Sequence, residues 1–322
     1  MGEHLTVADL SEGDILRRIL ARTGRASATL LGPGDDAAVI GSSGAVVATT
    51  DTLVHGPDFR LAWTSGFDLG WKSAAVNLAD IAAMGARPTA LLVAVILPTS
   101  TEIAFVEAMA DGLRAACDAL APGCAVVGGD LATGDVLTVA VTALGDLDGR
   151  AAVTRAGARV GDVVALAGER GQAAAGLAIL FERFRDDAGH PIPVDAARLV
   201  PGERALVDAQ LRPSPPIGLG PIAAVSGATA MMDVSDGLAL DARRMADASD
   251  VTIDLDPLGE RELAGGEDHA LLACFPTEAL PPGFHAIGRV VARGAAAVTV
   301  AGVPYAARGG WDPYQDWDAA SG

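Results

Sequence analysis

Met231-Met232-Asp233-Val234-Ser235-Asp236-Gly237-Leu238 runs an apolar stretch straight into the start of an amphipathic one. The residues from Thr229 predict a buried strand ending at Val234, and Ser235 to Ala248 predict a helix. Two carboxylates and a hydroxyl therefore crowd a strand-to-helix junction, where unpaired helix N–H groups favour an anion. A carboxylate at the end of a buried strand is costly unless it is paired or bound to a metal.

The same placement recurs along the chain. Asp51 follows the apolar run Val46 to Thr50, read as a strand ending there, and Asp130 follows a short strand, Ala125 to Val127, that ends in Gly128-Gly129. Asp36 stands just beyond the turn Gly32-Pro33-Gly34, and Asp80 lies on an alanine-rich helix over residues 67–84. Taken singly, each Asp reads better as a turn former or helix cap. Taken together that reading is weaker, because several such carboxylates without partnering lysines (the chain has one, Lys72) cannot neutralise one another. Their Gly, Ser and Thr neighbours let a ligand approach the backbone. Bound Mg²⁺ would neutralise such a set and invert the local charge, so that an acidic site could hold polyphosphate.

Working outward, residues 10–22 read as a helix capped by Ser11, and 101–120 as an amphipathic helix with Ile103, Val106, Met109 and Leu113 on one stripe. Residues 89–97 and 136–147 read as strands. A second series begins near residue 150, with a strand at 163–167, a helix at 171–184, a loop with a short helical piece at 186–202, and short strands and turns in the last third. Strands and helices mix without strict βαβ alternation, which predicts an α+β fold. The glycine-bearing link Gly149, Gly157, Gly161 predicts two domains, 1–150 and 151–322.

Composition excludes several classes. The 322 residues carry 23 Lys+Arg against 41 Asp+Glu, a formal charge of −18, which makes a poor binder of nucleic acid or anionic membrane. The apolar run 90–97 is far too short to cross a bilayer. Cys117, Cys124 and Cys274 give neither a disulfide framework nor a zinc site, so a reducing, cytoplasmic compartment is expected. No Gly-Lys pair exists for a P-loop, the five histidines lack metal-ligand spacing, and no Gly-x-Ser-x-Gly elbow occurs.

The motifs Gly34-Asp35-Asp36, Thr49-Thr50-Asp51-Thr52-Leu53-Val54, Trp71-Lys72, Asn77-Leu78-Ala79-Asp80, Gly128-Gly129-Asp130, Asp233 to Leu238, Gly265-Gly266-Glu267-Asp268 and Gly310-Trp311-Asp312 stand in that order. The ordered set resembles the thiamine-monophosphate kinase family over about residues 10 to 314. The resemblance implies a two-domain fold shared with aminoimidazole ribonucleotide synthetase. In it the mixed sheet of the N-terminal ATP/Mg domain pairs across a homodimer, and a C-terminal α+β domain completes the active site. It implies transfer of a phosphoryl group from ATP to thiamine monophosphate, aided by several Mg²⁺ ions. By that resemblance Asp36, Thr49, Thr50, Asp51, Asp80, Asp130, Asp233 and Asp236 are Mg²⁺ ligands. Gly129, Asp130, Arg155 and Ser235 contact ATP, with Asp130 and Asp236 central to catalysis. Asp58, Glu267, Trp311 and Tyr314 contact the thiamine part. Two other readings are another ATP-dependent enzyme of the superfamily, such as aminoimidazole ribonucleotide synthetase, and a non-catalytic metal- or nucleotide-binding protein.

Overall fold

The computed structural model describes residues 5–33 and 36–316, with backbone alone for Pro313 and Tyr314. Helix α1 (Glu12–Leu20) starts where Ser11 accepts the N–H of Asp14. Strands β1 (Thr29–Leu31) and β2 (Val39–Ile40) form a small antiparallel pair. A four-stranded sheet follows, in the order β3 (Val46–Val54), β6 (Thr138–Asp146), β4 (Arg87–Leu97), β5 (Val126–Thr133). Its pairs are antiparallel except β4 with β5. Helices α2 (Gly66–Ala83) and α3 (Ile103–Leu120) cover one face, where Leu78, Ile81, Met109 and Leu113 pack on Leu91, Val93, Val139 and Val141. The opposite face leaves Leu92 and Ile96 exposed.

The α2–α3 crossing depends on glycine. A Cβ on Gly70 would lie 2.0 Å from the carbonyl oxygen of Met109, and one on Gly112 would lie 2.0 Å from that of Phe67. The two helix backbones touch, so any side chain at these positions would push the helices apart.

A seven-stranded sheet occupies the second half. Its order is β13 (Val303–Pro304), β12 (Val298–Val300), β9 (Val251–Leu255), β11 (His285–Ala292), β7 (Val163–Ala167), β10 (Ala270–Phe275), β8 (Ala230–Val234). Only β12 with β9 is parallel. Helix α7 (Leu238–Ser249) packs Leu238, Ala242 and Met245 on one face, against Leu166, Met232 and Leu272. The other face meets Ala83 of α2 and Ala223 of α6 (Leu219–Val225). Helices α4 (Gln172–Arg183) and α5 (Pro201–Leu211) pack together over Trp63, which donates its indole N–H to the Phe184 carbonyl at 3.0 Å. Short helices α8 (Glu260–Ala264) and α9 (Pro313–Asp316) complete the chain. Among the described residues no helix is long and apolar enough to cross a membrane.

The α+β class stands, but three boundaries move. Strand β3 runs through Asp51 to Val54, because β6 pairs with it residue for residue as far as Thr138. Strand β5 runs through Gly128-Gly129-Asp130 to Thr133, because the eleven-residue β4 offers it backbone partners up to Leu97. Asp51 and Asp130 are therefore mid-strand residues. Helix α7 begins at Leu238, so Ser235-Asp236-Gly237 forms a connection outside the helix. Helices α5 and α6 lie where turn-rich composition concealed them.

Gly70→Ala is expected to cost about 1–3 kcal/mol of stability by overpacking. Gly13→Ala, in α1 with open space around it, should be neutral or add about 0.5–1 kcal/mol through helix propensity. Urea unfolding of both variants checks the pair.

Candidate active site

Helix α2 carries the polar residues that join the two halves. Trp71 donates its indole N–H to the Pro213 carbonyl at 2.8 Å, and Asp68 pairs with Arg212 at 3.2 Å. The buried Lys72 ammonium reaches Glu267 Oε1 at 2.9 Å, and Gln210 of α5 donates to Glu267 Oε2. Burial would raise the Glu267 carboxyl, but Lys72 and Gln210 hold it below its ordinary value. Two helical turns beyond Lys72, Asp80 accepts the Thr49 hydroxyl at 2.8 Å. Burial, then the neighbouring charge of Asp233, push its carboxyl up to about 6. Thus α2 brings an N-terminal carboxylate next to one from β8, because it packs on the four-stranded sheet and on the second-half core together.

The connection after β8 is fixed by backbone packing. A Cβ on Gly266 would meet the Ser235 carbonyl oxygen at 2.5 Å, and one on Gly310 would meet that of Asp236 at 2.8 Å. The N–H groups of Glu267 and Trp311 donate to those carbonyls at 2.7 and 3.0 Å. The Gly265-Gly266 and Gly310 segments therefore clamp the connection, a role in backbone packing that the sequence leaves indistinguishable from ligand approach. Glu267 and His269 both sit at positive φ, 69° and 52°, uncommon for residues with a side chain. The N–H groups of Asp236 and Gly237, expected to be open to an anion, are taken by Asp241 Oδ2 at 3.1 and 3.3 Å. Arg244 bridges Asp236 and Asp241, at 2.6 Å to each. Burial and the charges of Asp233 and Asp236 raise the Asp241 carboxyl to about 6.

The structure brings some of the predicted site residues together and separates others. Thr49, Asp51, Asp80 and Asp233 share one neighbourhood, with Asp51 and Asp233 both acting on Asp80. Asp58 accepts the Val54 N–H at 2.7 Å, closing its own turn. Burial raises its carboxyl, and Glu267, Lys72 and Asp51 act on it as charged neighbours. Trp311 is 41% exposed and joins the connection through its N–H bond to Asp236.

Thr50 and Asp130 lie elsewhere. The register aligns Thr52, Ala140, Ala94 and Asp130 across the sheet. Asp130 and Thr50 thus share the open face, while Asp51 and Gly129 align on the face toward α2. Because β3 and β5 are opposite edges, Asp130 is about 14 Å from β3 at roughly 4.8 Å per strand. Within a single chain Thr50 and Asp130 therefore do not share the neighbourhood of Thr49, Asp51, Asp80 and Asp233. Arg155 is exposed beside Ser249, whose hydroxyl donates to its carbonyl at 3.0 Å. That places its backbone at the far end of α7 from Asp236, about 18 Å along a twelve-residue helix. Asp36 is exposed. Gly34, Asp35 and the Tyr314 side chain lie outside the described residues.

Asp241, Arg244, Gln210 and His269 were not marked by sequence reasoning. No motif singles out Asp241 or Arg244, and His269 lacked metal-ligand spacing. Only its place after Gly265-Gly266-Glu267-Asp268 could have drawn attention to it.

The donors present fit a hard cation. Asp80, Asp233 and Thr49 supply oxygen alone, and one turn before Asp80 the buried Asn77 has an amide oxygen without a hydrogen-bond partner. Among the described residues no three His, Cys, Asp or Glu side chains converge into a complete cage. Mg²⁺ is commonly held by one or two carboxylates plus substrate phosphates, so an incomplete cage is compatible with it.

Residues 34–147 match the model for "AIR synthase related protein, N-terminal domain". The thiamine-monophosphate kinase of Mycobacterium tuberculosis is 40% identical, over 98% of this chain and 95% of that one. The solved structure of the Stenotrophomonas maltophilia enzyme of the same name has a TM-score of 0.74 at 32% identity, covering 91% of this chain and 96% of that one. AaThiL complexed with AMPPCP and TMP has a TM-score of 0.73 at 32% identity, covering 85% of this chain and 90% of that one. The chain belongs to the thiamine-monophosphate kinase family.

Asp80→Asn is expected to stabilise the metal-free protein at neutral pH by about 2–3 kcal/mol, the scale of a carboxyl moved from 3.8 to about 6. The ionised Asp80 is a cost of folding that neutral Asn removes. Chemical denaturation in the presence of chelator measures it.

Proposed function

We propose that the chain transfers the terminal phosphoryl group of ATP to the phosphate of thiamine monophosphate, giving ADP and thiamine diphosphate. The observation that carries this reading is the meeting of Asp80 and Asp233 across α2 and β8, in a chain whose near-full-length relative is a named kinase. The acceptor oxygen is already anionic, so the site needs positioning and charge control rather than a strong base. Asp80, Asp233 and Asp51, with Thr49 and Asp36, would hold Mg²⁺, whose charge would offset that of the phosphates.

The remaining roles follow the site. Ser235 and Asp236 present a connection locked by Asp241 and Arg244 to the ATP phosphates, with Gly129 on the α2-facing side of the sheet. Arg155 belongs to this ATP set only if its loop is reached from beyond its own α7. Trp311 offers an exposed ring for the thiamine rings to stack on, and the same contact is assigned to Tyr314. Asp58 supplies a negative charge to the thiazolium cation. Glu267, tied to Lys72 and Gln210, borders that subsite.

The protein acts as a homodimer in this reading. The open face leaves Leu92 and Ile96 exposed, and a second copy of the sheet would cover them. The same face also carries Thr50 and Asp130, so pairing two such faces would deliver these residues to a shared boundary. The division into residues 1–150 and 151–322 follows the two sheets, with the first half handling ATP and dimerisation. The acidic chain acts in the cytoplasm, without nucleic acid or membrane as partner.

The purified protein should form thiamine diphosphate from thiamine monophosphate, ATP and Mg²⁺; folded protein giving no product at saturating Mg²⁺ would refute the assignment. Asp58→Asn keeps an acceptor for the Val54 N–H but loses the charge. It should raise KM for thiamine monophosphate about tenfold, with KM for ATP and the thermal melt nearly unchanged. Light scattering should give twice the chain mass, and Leu92→Arg should shift it to monomer and abolish activity. A monomeric, active wild type would dismiss the pairing.

A further inference from the structure

We infer that His269 is a positioning residue for Asp233, holding one oxygen of that carboxylate and leaving the other for a cation. This rests on the reading of Asp233 as a metal-facing group and extends it to a residue with no assigned role. Asp233 lies in β8 opposite Leu271 of β10, with a side chain 6% exposed. Its Oδ2 is 3.2 Å from His269 Nδ1, and a carboxylate can only accept, so the ring N–H donates. Asp233 Oδ1 accepts no hydrogen bond from any described residue. One oxygen is thus fixed and one is available.

The backbone is built for this contact. His269 immediately precedes β10, its N–H donates to the Val234 carbonyl at 3.1 Å, and its φ is 52°. That left-handed turn departs from strand geometry at the step where the ring meets Asp233. The ring is 8% exposed, so it can neither contact bulk water freely nor act as an outer ligand itself. A buried carboxylate without this donor would be free to rotate about its last bond, and ligating carboxylates are commonly fixed by such hydrogen bonds.

The test uses the full chain with a non-hydrolysable ATP analogue and Mn²⁺ as probe, titrated by electron paramagnetic resonance, with a thermal melt and steady-state kinetics alongside. His269→Ala removes the ring. His269→Asn keeps an N–H donor near the place of Nδ1 and tolerates the left-handed backbone. His269→Ala should weaken Mn²⁺ binding about tenfold or more with KM for thiamine monophosphate within about twofold, while His269→Asn should bind within about threefold of wild type. Wild-type Mn²⁺ affinity in His269→Ala overturns the inference, as does a His269→Asn protein as weak as the Ala variant. If His269→Ala does not fold, His269→Asn decides: retained affinity supports the donor role, and about a tenfold loss with an unchanged melt overturns it. Asp233→Asn separates the two levels. Unchanged Mn²⁺ binding in Asp233→Asn removes the metal reading of Asp233 itself. Weakened binding there, with His269→Ala unaffected, removes only the role of His269.

Discussion

The structure depends on one helix being buried on nearly every side. Helix α2 lies with its glycine face against the backbone of α3, its apolar face on the four-stranded sheet, and its polar face toward the second half. Leaving polar groups unanswered on a helix so buried is costly, because water does not reach them, and the Asn77 amide oxygen is one left so. Trp71, Lys72 and Asp68 are answered by Pro213, Glu267 and Arg212, each from the other half of the chain. The polar contacts that bind the halves therefore also register them. This is why Asp80 of α2 and Asp233 of β8 come within electrostatic reach.

The distribution of cations sharpens this picture. Lys72 is committed to Glu267, Arg244 to Asp236 and Asp241, and the His269 ring to one oxygen of Asp233. Asp80 makes no ion pair among the described residues, and the neighbouring charge of Asp233 bears on it as repulsion. A site that must receive an external positive charge has to keep its carboxylates unneutralised, so local instability accompanies the function. Glycine contributes to the same end. Gly266 and Gly310 let three segments stack backbone on backbone around Ser235-Asp236-Gly237, giving a rigid connection without an ordinary helix start.

Much of the secondary structure was legible because period and capping are local. Ser11 before α1, the Ile103-Val106-Met109-Leu113 stripe of α3 and the β-branched runs of β6 and β7 speak for themselves. Asp51 and Asp130 misled, since a polar or glycine-rich stretch ends a strand in isolation but continues it beside a long partner. Helices α5 and α6 were obscured by Pro and Gly, and their apolar positions gain meaning only against Trp63, Phe184 and the second sheet.

By itself the sequence determined the α+β class, the acidic character and the family, through ordered short motifs whose residue types carry the chemistry. It could not say which acids share a site, because facing follows from register across strands and from where α2 lodges. Register placed Thr49 with Asp80 and turned Thr50 and Asp130 to the other face, a one-residue alternation no motif reveals. The roles of His269, Asp241 and Arg244 were likewise decided in three dimensions. A hydrogen bond between residues 36 positions apart has no local signal and exists only once β8 and β10 lie side by side.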